Sequence, residues 1–234
     1  MLYNKQAVAH NLRNRNGKRV FYLGKGDQLT SDARDYLTGE RIEILPAEQA
    51  KPERYRLLCG GYLEEKPEYM THLHSDVLVS KNHPRIGFRG AMDTLEAEIL
   101  LCMTEVSPET GKKLEEILTL ARNLIRWEVL NEPVKSDTLC GYTQEELRSR
   151  SHRPQDYYGI PHFMPDVSDG REILLLNRVR CAARHAELMA VSAFVVEGNV
   201  LREDILKVLN RTSSMLYLLM IEAKAKKEDL PYGH

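Results

Sequence analysis

The sequence predicts a mainly α fold: a helical bundle of four to five helices preceded by a small N-terminal α/β unit. Three observations carry this. Long segments between residues 87 and 226 place apolar residues at spacings of three and four, the period of a helix with one buried side. The first 65 residues instead hold short β-rich runs, Arg19–Leu23 (RVFYL) and Arg41–Leu45 (RIEIL), alternating with short helical stretches. At 234 residues, 42% hydrophobic and 29% charged, the chain has ample material for a core. The division falls at residues 1–65 and 66–234.

In the N-terminal unit a short helix is expected over Asn4–Leu12. Thr30 is placed to cap a second helix, SDARDYL, which Gly39 stops. Gly24-Lys25-Gly26 follows a strand but lacks the third glycine of a dinucleotide fingerprint, so it reads as a turn. The charged segment Pro46–Pro67 contains Pro52, Gly60 and Gly61 and reads as a linker. Next comes Thr71-His72-Leu73-His74-Ser75-Asp76. Alternate strand residues face one way, so His72 and His74 are candidate metal ligands; a plain loop is the other reading.

The first long helix spans about 87–103, with Phe88, Met92, Leu95, Ile99 and Leu100 as its apolar side. The second begins with Ser107 as N-cap and Pro108 at the first helical position, and Pro133 ends any continuation. Thr143-Gln144-Glu145-Glu146 is a capping box opening a short helix. Residues 153–168 hold three prolines and three aromatics, an irregular stretch of a length more often functional than idle. The third long helix, Leu174–Val195, carries an apolar side and a polar stripe of Arg180, Arg184 and Glu187 at i, i+4 and i+7. Ala182, Ala183, Ala186 and Ala190 let a neighbouring helix come close. The stripe suits either a solvated surface or a pair of guanidinium groups held for a polyanion such as a nucleotide triphosphate. Residues 196–199 turn the chain into the last helix, about 202–226, where Asn210, Arg211 and three hydroxyls interrupt an apolar run and need partners. The charged tail KKEDLPYGH is expected to fray.

A formal charge of −1 draws the chain to neither nucleic acid nor a membrane, and no stretch approaches the ~20 apolar residues of a spanning helix. No apolar leader opens the sequence, so a cytoplasmic location is expected. Cys59, Cys102, Cys140 and Cys181 are scattered without a CxxC, which argues against a structural zinc site or a disulfide framework. Cys102 and Cys181 lie in apolar helical contexts and are expected to be packed thiols.

Several of these motifs resemble one family. LNRTSSMLYLLM, beginning at Leu209, resembles the LNR-L-S-x-L element of the propanediol-utilisation-type ATP:cob(I)alamin adenosyltransferases. Arg180-x-x-x-Arg184-His185-Ala186-Glu187 resembles their R-x-x-x-R-R-A-E helix, with His185 in place of an arginine. Lys66–Asp93 is similar to the K-P-x-x-x-T-H-L segment and its continuation in the ethanolamine-utilisation branch. The Leu29–Leu37 pattern also resembles the leading region of that branch.

The resemblance implies transfer of the 5′-deoxyadenosyl group of ATP to Co(I) of a corrinoid, giving adenosylcobalamin and triphosphate. It implies ATP, Mg²⁺ and cobalamin as ligands, with Thr71, His72, Lys81, Arg184, Glu187, Asn210 and Arg211 toward the nucleotide. It implies an interface pair of Arg180 with Asp93 across subunits. Phe163 would be an apolar wall that displaces the lower cobalt ligand and eases reduction of Co(II); a core aromatic is its other reading, and Asp166-Val167 stand where relatives have Gly-Gly. A homo-oligomer (dimer or trimer), a flavin-type reductase and association with a bacterial microcompartment complete the expectation. Relatives in this branch carry a His and a Cys-Cys-x-x-Cys cluster before the K-P element; the lone Cys59 cannot form it, so no transition metal is expected. Two other classes stay open: a non-catalytic cobalamin-binding or scaffold protein of a metabolic compartment, and a metal-dependent hydrolase using His72, His74, His83 and Asp93.

Overall fold

The computed structural model describes residues 1–15, 17–50 and 55–228. The chain forms two compact units, Met1–His83 and Pro84–His234. Segment 66–83, which the motif order attaches to the helical domain, is paired into the N-terminal sheet.

The N-terminal unit is α/β, with α1 (Lys5–His10) and α2 (Ser31–Gly39) beside a seven-stranded mixed sheet. The strand order is Glu43–Pro46, Lys18–Leu23, Arg13–Arg15, Tyr62–Leu63, Tyr55–Leu57, Val77–Ser80, Met70–His74. Two of these, Lys18–Leu23 and Glu43–Pro46, correspond to the runs read as strands; Arg13–Arg15, Tyr62–Leu63 and Tyr55–Leu57 hold two or three residues each, too few to display alternation. The expected linker is a correction. Within 46–67 a 3₁₀ turn and two of the strands form; Pro52 lies outside the described residues.

Asn4 caps α1 by accepting from Ala7 N–H at 2.8 Å. Thr30 precedes α2, but its hydroxyl donates to the Tyr3 carbonyl at 3.2 Å instead of capping. Gly39 does not stop α2; the helix includes it, and the chain turns at Arg41, whose φ is 53°. Val8, Phe21, Leu29, Ala33, Leu37 and Ile42 form the core under the helices.

The second unit is helical. Four helices are long: α3 (Pro84–Met103), α4 (Pro108–Leu130), and then, after the short α5 (Gln144–His152) and α6 (Pro154–Tyr158), α7 (Arg171–Phe194) and α8 (Glu203–Lys227). Ser107 Oγ caps α4, and the Thr143/Glu146 capping box is formed in both directions at 2.8 and 3.2 Å. α7 packs between α3 and α8. Ala183, Ala186 and Ala190 are fully buried, and a Cβ on Gly87 of α3 would stand 2.7 Å from Met189 Cε of α7, so these helices approach closely.

One charge cluster is buried beneath this packing. Glu128 of α4 is 0% exposed and takes Arg85 on one carboxylate oxygen and Arg89 on the other, the latter at 2.8 Å. A buried carboxylate is tolerable only with such partners. Among the described residues no helix is long and apolar enough to cross a membrane.

Candidate functional site

The helical unit opens a cleft of about 1050 Å³ between α7, α8 and the segment leading into α7. That volume is at the upper end of the roughly 300–1,000 Å³ of small-molecule sites. The 3.6-residue period builds two of its walls. On α7, Arg180, Arg184 and Glu187 face the cleft; on α8, Asn210, Ser213, Ser214 and Tyr217 do so at the same spacing. The segment before α7 adds His162, Phe163 and Met164.

The polar residues are joined across the helices. Asn210 Nδ2 donates to Glu187 Oε1 at 2.9 Å. Ser213 and Ser214 donate back to the Asn210 carbonyl at 3.0 and 3.2 Å, leaving their oxygen lone pairs open. The half-buried Arg180 lies over the Tyr217 ring at 5.3 Å. Arg184 is exposed, and among the described residues it makes no hydrogen bond or ion pair. A free guanidinium in a concave site, beside a second one resting on an aromatic face, is a natural receptor for phosphate oxygens.

The other end of the cleft is apolar and aromatic. The Phe163 ring is stacked on Tyr217 at 6.2 Å, and Lys224 Nζ lies 4.5 Å from its centroid. Lys224 is itself fixed by Asp169 at 2.6 Å. That ammonium bond, with the Asp166 N–H, holds the Asp169 carboxyl below the usual range. Met164 is 90% exposed beside it, an apolar side chain without a covering neighbour.

The remaining predicted residues lie elsewhere. Arg211 points away from Asn210, into a separate small void it shares with Gln144 and Asp137. Successive helix residues diverge by about 100°, and Arg211 falls on the side of α8 outside the cleft. Asp93 is exposed on α3, and among the described residues no ion pair links it to Arg180 within the chain.

Thr71, His72 and Lys81 belong to the N-terminal unit, on and just after the hairpin Met70–His74/Val77–Ser80. A register shift between His72 and His74 breaks the alternation that was to align the two imidazoles. His72 bonds the Ser75 carbonyl at 2.9 Å, while His74 lines a groove with His10, Arg56 and Cys59. Among the described residues no group of three His, Cys, Asp or Glu side chains could hold a metal ion.

One correction concerns the thiols. Cys181, expected to be packed, is exposed and lines the cleft, because it follows Arg180 on the open side of α7; Cys102 is 1% exposed as expected. Burial pushes the Cys102 thiol up to about 12, and burial does the same to Cys140.

Sequence reasoning passed over Tyr217, His162 and Lys224. Tyr217 had a detectable mark: it stands seven residues after Asn210, on the same stripe, but counted as one more apolar residue of the helix. His162 and Lys224 had none, since their partners are fixed only by tertiary packing.

Residues 62–223 match the family described as cobalamin adenosyltransferase. The chain is 34% identical over 209 residues to the corrinoid adenosyltransferase EutT of Salmonella typhimurium, covering 89% of this chain and 78% of that protein. It is 33% identical over 187 residues to the EutT of Escherichia coli K12, covering 80% and 70%. A solved variant of the PduO-type ATP:co(I)rrinoid adenosyltransferase of Lactobacillus reuteri, complexed with ATP, superposes with a TM-score of 0.50 at 21% identity, over 70% of this chain and 94% of that one. The fold and the arginine-lined cleft thus accompany a clear kinship: the chain belongs to the cobalamin adenosyltransferase family. Its kin among the curated proteins above are the EutT corrinoid adenosyltransferases.

Proposed function

We propose that this protein is an ATP:cob(I)alamin adenosyltransferase of the EutT type. The observation that carries the proposal is the cleft itself, with Arg180 and Arg184 on one wall, Asn210 opposite, and Phe163 at the apolar end. The four long helices are read as the catalytic bundle, with α5 and α6 as an addition to it. A nucleotide triphosphate suits the guanidinium end, and a corrinoid face suits the aromatic end.

In the reaction the Co(I) electron pair attacks C5′ of ATP. A Co–C bond forms, the C5′–O bond breaks, and triphosphate leaves with the bonding electrons. No general base is required, because the nucleophile is already electron-rich. The protein's tasks are to hold the two substrates in line, to stabilise the charge gathering on triphosphate, and to keep water out. Arg184 binds the phosphates, with Arg180 beside it. Asn210 fixes the nucleotide and is itself oriented by Glu187. Glu187 Oε2 accepts no hydrogen bond among the described residues, so it is the carboxylate open to a nucleotide-bound Mg²⁺. Phe163, in contact with Tyr217 and Lys224, supplies a wall that disfavours return of the lower cobalt ligand.

Three further parts of the proposal rest on kinship and sequence. The protein works as a homo-oligomer, with Asp93 and Arg180 meeting across subunits and Thr71, His72 and Lys81 completing the phosphate site. It receives Co(I) from a flavin-type reductase. It serves ethanolamine utilisation in the cytoplasm, in association with a bacterial microcompartment. The test is anaerobic: cob(I)alamin, ATP and Mg²⁺ are mixed with the protein, and formation of the Co–C product is followed by absorbance with triphosphate measured in parallel. A bound corrinoid without product would favour a carrier or scaffold.

A further inference from the structure

Tyr217 touches both ends of the cleft. Its ring carries the Arg180 guanidinium at 5.3 Å and stacks with Phe163 at 6.2 Å and with His162 at 5.8 Å, the last nearly parallel at 10°. Its hydroxyl oxygen lies 3.0 Å from His162 Nδ1 and 3.4 Å from the Phe163 amide nitrogen. His162 Nε2 lies 3.2 Å from the His152 carbonyl oxygen.

The donors and acceptors fix the direction of this chain. The His152 carbonyl can only accept, so Nε2 carries the hydrogen. In the neutral ring Nδ1 is then the acceptor, and the Tyr217 O–H donates to it. The Tyr217 oxygen keeps a lone pair for the Phe163 N–H. Each polar atom is used once, in the order Phe163 N–H, Tyr217 O–H, His162 Nε2–H, His152 carbonyl. A phenylalanine at 217 would keep the ring contacts and lose both hydroxyl bonds.

We infer that Tyr217 is a positioning residue serving the two substrates separately: its ring seats Arg180 for the triphosphate, and its hydroxyl, braced by His162, sets the Phe163 segment for the corrinoid. This rests on the adenosyltransferase reading. The separation follows from chemistry, since a cation over a ring needs only the π face, whereas the Phe163 backbone needs the oxygen.

The experiment compares Tyr217→Phe, Tyr217→Leu, His162→Ala and the Tyr217→Phe/His162→Ala double variant. ATP affinity is read by calorimetry and the kinetics of both substrates by the anaerobic assay. Tyr217→Phe is expected to bind ATP within about twofold of wild type and to lose about 10-fold in kcat/KM for cob(I)alamin, the scale of one or two hydrogen bonds. Tyr217→Leu is expected to lose ATP affinity as well, by roughly 5-fold, the scale of a cation–π contact. His162→Ala, an exposed change that leaves the core intact, is expected to share the corrinoid defect, and the double variant to be no worse than Tyr217→Phe. Wild-type corrinoid kinetics in Tyr217→Phe, or equal losses toward both substrates in Tyr217→Phe and Tyr217→Leu, would overturn the inference. Absence of product in the wild type would instead remove the functional reading; the ATP-affinity split and corrinoid-binding titrations would still decide the role of Tyr217.

Discussion

Asn210 of α8 donates to Glu187 of α7 across 2.9 Å, so the polar interruption of the last helix is answered by the arginine-bearing stripe of the helix before it. This bond orients the Asn210 amide. Glu187→Ala is expected to weaken ATP binding about 5-fold by freeing Asn210, while Glu187→Gln, whose amide oxygen can still accept, keeps most of the affinity. Calorimetric titration with ATP in the absence of Mg²⁺, which leaves only the hydrogen bond to be read, checks this. Equal loss in the two variants would show that the carboxylate charge, not the hydrogen bond, is what matters.

Arg184 is exposed and makes no hydrogen bond or ion pair among the described residues, so its removal should not disturb the fold. Arg184→Ala is expected to leave the melting temperature within a degree or two of wild type and to lower ATP affinity by about 10-fold or more, as for a charged phosphate contact. Unchanged ATP affinity would take Arg184 out of the phosphate site.

Glu128 behaves in the opposite way. It is fully buried between Arg85 and Arg89, far in character from the open cleft. Glu128→Ala removes the buried carboxylate that Arg85 and Arg89 share, and a stability loss of about 3–5 kcal/mol is expected from denaturant unfolding. A loss below about 1 kcal/mol would mean that water reaches both arginines.

The Asp169–Lys224 pair gives a pH signature. The folded-state pKa of Asp169 is depressed, chiefly by its bond to Lys224. Its contribution is therefore complete above the unfolded carboxylate value of about 3.9, and it is lost as pH falls through the lower folded value. The melting-temperature gap between wild type and Asp169→Asn should be constant from neutral pH down to that point and shrink below it. The Asp169 carboxylate is well covered in the packed loop yet lies near the surface, so the gap is expected to be small and salt-sensitive. A gap that grows on acidification would contradict the pairing.

The thiols report on cleft occupancy. Cys59 and Cys181 are exposed, whereas Cys102 is buried and the Cys102 and Cys140 thiols are both pushed up to about 12. At pH 8 an alkylating reagent is expected to label Cys59 and Cys181 first, as read by peptide mass. Bound ATP or corrinoid should protect Cys181 and leave Cys59 labelled. Protection of neither would place the ligands outside the described cleft.

The long helices were legible because each carries enough turns for a 3.6-residue period to stand out, and because Ser107, Pro108 and the Thr143/Glu146 pair mark their starts. Much of the sheet was not, since Tyr62–Leu63 and Arg13–Arg15 hold only two and three residues and pair with each other across a long sequence separation. In the cleft, the Arg180, Arg184, Glu187 and Asn210 grouping could be read from helical spacing and kinship. The spacing of Tyr217 from Asn210 could be read too, but not its role as an aromatic hub, because the His162–Phe163 segment meets it only in the folded chain. Arg211, next to Asn210 in the motif, lies outside the cleft: adjacency in a motif need not be adjacency in a site.

The central claim is tested most directly by the anaerobic reaction of cob(I)alamin and ATP with Mg²⁺ as sole added metal, run with wild type and with Arg184→Ala. The expected result is adenosylcobalamin and one equivalent of triphosphate from the wild type, without Fe²⁺ or Zn²⁺, and a much slower reaction from the variant. Corrinoid binding with no Co–C product, whichever metal is added, would contradict the account.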